Sequence, residues 1–387
     1  MRRTSTRQRP GDRRRDRRRR SRPLAAAIAA AGLVATGLVA TPTPVGAAAT
    51  DSDTLVTVPS QSDLWLFRRN FIGSGQVIGA TTMVLEGDFT TSPGTDVFAY
   101  TPGSGTDGVV KIVPSGAGGA VTTYVFKLVN GTYTPLVGDF DGNGVDDIIW
   151  YAPGAGVDTM YRFAGSVGGH ASMSLTINGT YQPVVLDADD DGDDDVLWYA
   201  PGAAADSLWL FGPGASHTTK AVVINGTYQV RRGQFYKPEA QPDDQLLFFD
   251  PSGPDSIWSF DDDADHTSQA LPSIDGPYRP IIGHFRTPGY DILFWYRPGP
   301  GMDLFWRFSG NGTVVALDSP PQVTGTYDTA VGDYDGNGIQ DIAWEASGGT
   351  SIWLFPDDED GAITQTTADT GLDPAKIAFG HTDPDDL

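Results

Sequence analysis

The sequence predicts an all-β fold: a seven-bladed β-propeller of four-stranded antiparallel blades, closed by a blade that the N- and C-termini share. Three observations predict it. Two sets of glycines recur with a nearly constant step, four short strands fit within each step, and each end of the chain carries part of a further unit. Repeats of about 40–50 residues built from short strands are typical of propeller blades.

Two glycine registers define the repeat. Members of the first lie 46 to 52 residues apart, and the second follows each of them after seven to nine residues. The first register is Gly79, Gly131, Gly179, Gly226, Gly276, Gly325 and Gly371. The second is Gly87, Gly138, Gly233, Gly283, Gly332 and Gly380, with Leu186 in its place in the third unit.

The unit at residues 130–177 shows how one blade is built. Its four predicted strands are residues 134–140, 147–151, 158–163 and 171–177. The second strand is wholly apolar, the first and third alternate, and Gly, Pro, Asn and Asp turns separate them. No window of about 12 residues shows the apolar stripe and caps of a helix.

The ends of the chain supply the closing blade. After Gly371 residues 376–380 form one strand, while residues 53–59, 62–67 and 75–78 match the second, third and fourth strands of a unit. The propeller is therefore predicted over residues 50–387. Its blades span about 80–129, 130–177, 178–224, 225–274, 275–323, 324–370, and 371–387 together with 51–79.

The first 49 residues are predicted to be a signal peptide. Twelve arginines lie between residues 2 and 22, an apolar run follows at 24–40, and Ala47, Ala48 and Ala49 supply a small-residue cleavage pattern. A 17-residue run rich in alanine falls short of a comfortable membrane span. We expect cleavage, secretion and no stable membrane anchor after processing, by either the Sec or the twin-arginine route.

The remaining chain is strongly acidic. The full chain has 26 Lys+Arg and 49 Asp+Glu, and residues 1–49 hold 12 Arg and two Asp, which leaves 14 against 47, a net charge of −33. Such a body repels phosphate backbones, so nucleic acid is excluded as a partner. The absence of cysteine excludes thiol catalysis and a disulfide scaffold. Clustered carboxylates are instead suited to binding cations.

Three loops between the first and second strands share one nine-residue pattern, numbered here as positions 1 to 9. Side-chain oxygens fall at positions 1, 3, 5 and 9, with glycine at 6 and a backbone carbonyl expected to bind at 7, as at the start of an EF-hand loop. Crowded carboxylates repel one another, so Ca²⁺ is the natural neutraliser. The predicted ligands are Asp139, Asp141, Asn143, Val145 and Asp147; Asp187, Asp189, Asp191, Asp193 and Asp195; and Asp333, Asp335, Asn337, Ile339 and Asp341.

A solvated Asp/Gly turn is the alternative for any one of these loops, but three in register favour calcium. The loop from Asp88 to Asp96 keeps positions 1 and 9 and loses the charge between them. The loops at 234–244, 284–291 and 381–386 have lost the pattern. We therefore predict three calcium sites, one doubtful loop and three empty ones.

The unit resembles the FG-GAP/VCBS repeat of integrin α-subunit propellers and of many secreted bacterial proteins. The resemblance covers residues 51–387 and rests on the three loops and on Tyr151-Ala152-Pro153 and Tyr199-Ala200-Pro201, which stand where the family has Gly-Ala-Pro. It implies calcium ligation by the loop residues given above, with Val145, Asp193 and Ile339 acting through carbonyls. It also implies that partners bind the face opposite the calcium loops.

Recurrent aromatic residues admit two interpretations. The third strand carries a Trp/Phe pair in five units, which is either a sugar-stacking stripe or, as we favour, packing between blades. A tyrosine recurs two residues after the first glycine, at Tyr133, Tyr181, Tyr228, Tyr278 and Tyr327. These tyrosines either bind a ligand at one end of the propeller or fill gaps near the mouth of the channel.

The sequence favours a secreted, monomeric, calcium-binding module for an extracellular glycan or protein ligand. The alternative is a polysaccharide lyase or hydrolase, whose best ingredients are Arg231, Arg232, His284, Arg286 and Tyr290 in the two units that lost the metal pattern. The enzyme is less favoured because no nucleophile context is present and the spacing of the acidic pairs is used by metal ligation. The five histidines occupy no common repeat position that would mark a site.

Overall fold

The computed structural model of the chain describes residues 25–27, 53–58, 63–68, 71–75, 83–90, 96–104, 107–115, 119–127, 129–165, 169–236, 244–286, 290–316, 322–332, 337, 339–346, 349–357 and 362–368. All regular structure in these ranges is β-strand. They contain no helix long and apolar enough to cross a membrane.

The described strands form seven four-stranded sheets, called sheets 1 to 7 in chain order. Sheet 1 holds β1 (Ala25–Ala27), β2 (Asp53–Val58), β3 (Asp63–Arg68) and β4 (Phe71–Gly75), and sheet 2 holds β5 (Met83–Gly87), β6 (Asp96–Tyr100), β7 (Asp107–Ser115) and β8 (Gly119–Lys127). Sheet 3 holds β9 (Thr134–Gly138), β10 (Asp147–Tyr151), β11 (Asp158–Phe163) and β12 (His170–Leu175), and sheet 4 holds β13 (Gln182–Leu186), β14 (Asp195–Tyr199), β15 (Asp206–Gly212) and β16 (Ser216–Val222). Sheet 5 holds β17 (Gln229–Gly233), β18 (Gln245–Phe249), β19 (Ser256–Phe260) and β20 (His266–Ala270). Sheet 6 holds β21 (Arg279–Gly283), β22 (Ile292–Tyr296), β23 (Leu304–Phe308) and β24 (Val314–Ala316), and sheet 7 holds β25 (Asp328–Gly332), β26 (Asp341–Ala346), β27 (Gly349–Leu354) and β28 (Thr364–Ala368).

The sheets are the blades of a β-propeller, as the sequence predicts. In sheets 2 to 7 consecutive strands pair antiparallel in chain order. First strands of neighbouring sheets lie side by side, β5 by β9, β9 by β13, β13 by β17 and β21 by β25, so they surround the centre. Sheet 1 contacts sheet 7 through β1 and β25 and sheet 2 through β4 and β8, which joins the two ends of the series.

Sheet 1 differs from the other six at its first strand. Ala25–Ala27 pairs parallel with residues 53–55, in the place for which the sequence predicts residues 376–380. Those C-terminal residues lie outside the described part of the chain, and Ala25–Ala27 lies inside the predicted signal peptide. The shared blade, the count of seven blades and the signal peptide therefore stay predictions.

The hydrophobic core lies between the sheets. Five described clusters each join side chains of two neighbouring sheets, from sheets 2 and 3 through to sheets 6 and 7. Every residue of the second strands β10, β14, β18 and β22 is buried, so these strands are covered on both faces. In sheets 4 to 7 the third-strand Trp/Phe pair belongs to these interfaces, as at Phe140–Phe211, where the ring centroids are 5.2 Å apart. This confirms packing between blades over a sugar-stacking stripe.

The two glycine registers have separate physical causes. Gly131, in the first register, has φ +142°, and the ring of Tyr133 covers it so closely that a Cβ would lie 2.6 Å from a ring carbon. Gly138, in the second register, lies against the next sheet, where a Cβ would be 2.7 Å from Oδ2 of Asp194. The first register is therefore kept by backbone conformation and the second by close approach of a neighbouring blade.

In sheets 2, 3, 4 and 6 a tyrosine hydroxyl ties the end of the second strand to the start of the following unit. The hydroxyl of Tyr151 donates to the carbonyl of Gly179 at 2.8 Å and accepts from the amide of Tyr181 at 2.9 Å. Tyr100, Tyr199 and Tyr296 make the same pair of bonds in their own units. Phe249 occupies this position in sheet 5, where it has no hydroxyl to offer.

In sheets 2 to 6 a buried aspartate at the start of the third strand makes a second recurrent brace. Asp158 accepts the amides of Ala152 through Oδ1 and Ile177 through Oδ2, at 2.8 and 2.9 Å, and so joins the two ends of the blade's outer half. The equivalent residues, all buried, are Asp107, Asp206, Asp255 and Asp303. The sequence analysis missed this register, although its steps of 48 to 51 residues match the repeat.

Candidate metal centre

The loops with the nine-residue pattern join the first and second strands at one face of the propeller. In sheet 3 the carboxylate of Asp139, at position 1, folds the loop over itself by accepting the amides of Asn143 and Gly144 at 3.0 and 2.6 Å. Gly142 and Gly144 have φ of +68° and +83°, which a turn this tight requires. The local sequence therefore curls side-chain oxygens toward a common centre.

Three predicted ligands of the first loop meet there. One oxygen from each of Asp139, Asp141 and Asp147 lies within 4.8 Å of the others, and two of the three residues are buried. Oδ1 of Asp147 accepts the amide of Phe163 at 2.8 Å, whereas its Oδ2 is buried and accepts no hydrogen bond from the described residues. These three residues are called site 1.

The second loop repeats the arrangement in sheet 4. Oxygens of Asp187, Asp189 and Asp195 lie within 4.8 Å of one another and are called site 2. Asp195 accepts the amide of Phe211 at 2.8 Å, in the same way as its counterpart in site 1. Oδ1 of Asp189 is buried and accepts no hydrogen bond within the described part of the chain.

The third loop is described only in part. Asp333 and Asp335 lie outside the described residues, whereas Asn337, Ile339 and Asp341 lie inside them. Asn337 donates to the carbonyl of Phe355 at 2.7 Å, as Asn143 does to Phe163 at 2.8 Å. Asp341 accepts the amide of Phe355 at 2.7 Å. The described half of this loop therefore has the conformation of site 1.

The predicted ligands at positions 5 and 7 are not members of the carboxylate clusters of sites 1 and 2. Val145 and Ile339, at position 7, are buried in the cores between sheets. The side chain of Asp193, at the same position, points instead toward the preceding loop, where its Oδ1 would be 2.0 Å from a Cβ on Gly142. The amide of Asp193 is held by Oδ1 of Asp191 at 2.9 Å.

Burial and crowding raise the pKa of the clustered carboxyls. Loss of hydration, followed by repulsion from Asp141, Asp139 and Asp146, raises the pKa of Asp147 to about 8. The same causes raise the pKa of Asp195 to about 9 and that of Asp189 to about 6. Groups whose ionised form is this unfavourable at neutral pH need either a proton or a cation.

The donor set fits a hard divalent cation. Each site offers three carboxylates, a further Asn or Asp at position 5 and backbone carbonyls, all of which are oxygen donors of the kind that Ca²⁺ prefers. Buried carboxylate oxygens that accept no hydrogen bond are the expected mark of a missing positive partner. Sites 1 and 2 are thus clusters that could hold a metal ion.

Position 8, to which the sequence analysis gave no role, joins each loop to the preceding one. Oδ2 of Asp194 accepts the amide of Asp139 at 2.7 Å, and the amide of Asp194 returns a bond to the carbonyl of Asp139 at 3.0 Å. The side chains of Asp146, Asp244, Asp291 and Gln340 bind the position 1 amide of the preceding sheet in the same way. In the sequence of a single unit, position 8 looks like one more acidic residue of the loop. Its role is not evident there because its partner lies in another blade.

Comparison with known proteins supports this description. The family model described as "FG-GAP repeat" matches residues 131–168, which include the whole of site 1. The chain carries an FG-GAP repeat within a β-propeller. A comparison with curated proteins gave no match.

Two solved structures show the fold of this propeller. A lectin of Agrocybe aegerita, described in terms of its specific recognition of non-reducing terminal N-acetylglucosamine, has a TM-score of 0.63 and 13% identity, covering 85% of this chain and 95% of its own. A putative 6-phosphogluconolactonase from Bacteroides uniformis has a TM-score of 0.51 and 11% identity, covering 84% of this chain and 98% of its own. Similarity at this level of identity shows the fold alone.

In two of the loops without the metal pattern, other groups replace the position 9 carboxylate. In sheet 5 Gln245 occupies position 9 and accepts the amides of Phe235 and Tyr236 at 2.8 and 3.0 Å, while its own amide donates to Ser259 at 2.7 Å. In sheet 6 the position is Ile292, which is buried in the core. In sheets 5 and 6 these side chains stabilise the propeller by hydrogen bonding or packing. They present no carboxylate to a cation.

The prediction that the histidines share no repeat position is wrong. His170, His217 and His266 each stand opposite the third-strand phenylalanine of sheets 3, 4 and 5. Their rings stack on Tyr161, Trp209 and Trp258, with centroids 3.7 to 4.0 Å apart. Their spacing of 47 and 49 residues is that of the repeat. The common position reflects packing of imidazole on an aromatic ring.

The recurrent tyrosines of the propeller pack inward. The rings of Tyr133, Tyr181 and Tyr327 lie 5.9 to 6.1 Å from the tryptophan of a neighbouring second strand, and each covers a glycine of the first register. The hydroxyl of Tyr133 donates to the carbonyl of Asn130 at 3.3 Å. Of the two interpretations, gap filling agrees with these contacts.

The residues proposed for an enzyme have different surroundings. Arg232 is buried beside Asp194 and Asp244, with its Nη1 at 3.9 and 3.4 Å from their carboxylates. Arg231 is exposed, and its Nη1 donates to the carbonyl of Val230 at 2.9 Å. His284 is half-buried, which lowers its pKa, and its backbone amide binds the side chain of Gln340. Arg232 is thus held by acidic partners, as a structural ion pair would be.

Proposed function

We propose that this FG-GAP propeller is an exported, calcium-stabilised module that binds carbohydrate. The observation that carries the calcium part is the pair of buried aspartate triads, whose oxygens converge within 4.8 Å and include buried atoms that accept no hydrogen bond among the described residues. The similarity to a GlcNAc-recognising lectin propeller supports the carbohydrate part. The arginine-rich start of the chain supports export.

In this proposal calcium holds the blades and the opposite face meets the ligand. Each loop contacts the loop of the next sheet through position 8, so a cation in one loop fixes an interface between two blades. A cation that binds only the folded state stabilises it by mass action. The propeller then acts as a rigid frame, which lowers the entropy that a bound ligand must lose.

The calcium part is tested by titrating Ca²⁺ into EGTA-treated, dialysed protein in a calorimeter. We expect three sites, with Kd on the order of 10⁻⁴–10⁻³ M, the usual range of extracellular modules. Asp147→Asn is expected to remove one site and Asp195→Asn another. The exposed Asp262→Asn serves as the matched control and should remove none. If the unmodified protein gives no heat of binding when Ca²⁺ is added, the calcium proposal is wrong.

The carbohydrate part is tested on a glycan array that includes glycans ending in non-reducing N-acetylglucosamine, in calcium and in EGTA. We expect binding in calcium and its loss in EGTA at a temperature where the metal-free protein melts. If no glycan binds the folded, calcium-loaded protein, the carbohydrate proposal fails while the calcium proposal stands. Binding to a protein partner only would also contradict it.

A further inference from the structure

Arg232 has an unusual position in the propeller. It is the fourth residue of β17, a place held by Val137, Val185, Ile282 and Val331 in sheets 3, 4, 6 and 7. In the described part of the chain it is the only Lys or Arg that is buried, with 6% of its surface exposed. A buried guanidinium is costly unless carboxylates offset its charge, so its surroundings indicate its role.

Two position 8 carboxylates supply that offset. Nη1 of Arg232 lies 3.4 Å from Oδ2 of Asp244 and 3.9 Å from Oδ1 of Asp194, and both aspartates are buried. Asp194 comes from sheet 4, whereas Asp244 and Arg232 come from sheet 5. The guanidinium therefore lies between the carboxylates of two successive interfaces.

The same two carboxylates hold the first residue of each metal loop. Oδ2 of Asp194 accepts the amide of Asp139, in site 1, at 2.7 Å. Oδ2 of Asp244 accepts the amide of Asp187, in site 2, also at 2.7 Å. A continuous polar chain thus runs from the Asp139 amide through Asp194, Arg232 and Asp244 to the Asp187 amide.

We propose that Arg232 is a positioning residue for both metal sites, and that it sets their calcium affinities together from the sheet that has no metal loop of its own. The inference rests on the proposed calcium function. Without the guanidinium, Asp194 and Asp244 are two buried like charges that move apart or take up solvent. Each movement displaces the amide, and hence the carboxylate, at position 1 of the loop it holds.

The direction of the effect separates positioning from simple charge. A cation near a calcium site repels calcium, so its removal raises affinity if only through-space charge matters. The charge of Arg232 is already offset by the two carboxylates beside it. Loss of position is therefore expected to dominate, and removal of Arg232 lowers the affinity. Loss of outer-shell partners typically costs on the order of 10-fold or more in metal affinity.

The test is calcium titration of Arg232→Met in the full chain, by calorimetry and by Tb³⁺ luminescence. Site 1 is isolated in the Asp195→Asn background and site 2 in the Asp147→Asn background. We expect both affinities to fall about 10-fold. The third loop leads into β26 of sheet 7, which is not a neighbour of sheet 5, and should keep its affinity. Arg232→Lys keeps the charge but loses the planar guanidinium, so its calcium affinities should fall less than those of Arg232→Met.

Arg279→Met is the matched control, since Arg279 is also on a first strand but forms an exposed pair with Asp328 at 3.3 Å. It should leave all affinities unchanged. Unchanged or tighter binding in Arg232→Met, or weakening at one site alone, overturns the inference while the calcium proposal stands. If Arg232→Met does not fold, Arg232→Gln takes its place under the same criteria. The unmodified chain is titrated first. If it binds no calcium, the proposed function itself is wrong, and this result is distinct from a failure of the inference about Arg232.

Discussion

Without metal, the stability of this propeller should fall as the pH rises from 5 to 7. In the folded state burial raises the pKa of Asp147 to about 8 and that of Asp195 to about 9. In the unfolded chain an aspartate titrates near 3.9. Between these values the folded state binds a proton that the unfolded state does not, so the free energy of unfolding decreases with pH.

The magnitude follows from the number of protons. Each such carboxyl lowers the free energy of unfolding by about 1.4 kcal/mol per pH unit. Two carboxyls over two pH units therefore give roughly 5 kcal/mol. For a chain of this size that corresponds to a fall in Tm on the order of 10 °C. Calcium removes the effect, because it binds the ionised carboxylates and replaces the protons.

The assay is thermal unfolding followed by circular dichroism at pH 5, 6 and 7, in EGTA and in calcium. General repulsion in an acidic protein has the same sign, so variants are needed to isolate the two groups. The double variant Asp147→Asn/Asp195→Asn should lose most of the pH dependence in EGTA, whereas the exposed Asp262→Asn should keep it. A Tm in EGTA that is the same at pH 5 and 7, or a double variant with the full dependence, would refute the reasoning.

Three further predictions concern the braces of the fold. Tyr151→Phe removes two hydrogen bonds and should lower the free energy of unfolding, measured in urea, by about 1–3 kcal/mol. The control Tyr181→Phe loses one exposed hydrogen bond and should lower it by less than about 0.5 kcal/mol. Equal losses in the two variants would contradict the role of Tyr151 as a brace. Asp158→Asn turns an NH₂ group toward a backbone amide and should cost about 2 kcal/mol in the same assay, so unchanged stability argues against it. Gly138→Ala places a Cβ 2.7 Å from a carboxylate oxygen of the next sheet. It should weaken calcium binding at site 1, while Gly212→Ala, whose nearest atom is 3.8 Å away, should not.

The sequence predicts much of the fold because the repeat reports local structure many times over. Strands, turns and both glycine registers recur in each unit, so chance resemblance at one position is averaged out. The triads at sites 1 and 2 could also be predicted, since all their ligands lie within nine residues of one another. Local spacing sets their geometry.

What sequence reasoning missed depends on contacts between units. The shared role of Asp146 and Asp194 cannot be inferred from sequence, because each carboxylate binds a backbone amide of the preceding blade. Arg232 was assigned to chemistry because its acidic partners lie 12 and 38 residues away in sequence and in part on another sheet. Pairings across blades follow from the ring and are not encoded in any single repeat.

The position 8 contacts give the ring a direction. In sheets 3 to 7 the position 8 side chain reaches back to the position 1 amide of the preceding loop, so the loop of sheet 3 is completed by Asp194 of sheet 4. A growing chain therefore makes every loop before it makes the residue that secures it. Synthesis and emergence from the ribosome or a translocation channel would leave the most recent loop open, with its carboxylates in water, until the next blade arrives. Under the calcium proposal, metal uptake would then be expected to follow chain order, one blade behind the emerging end.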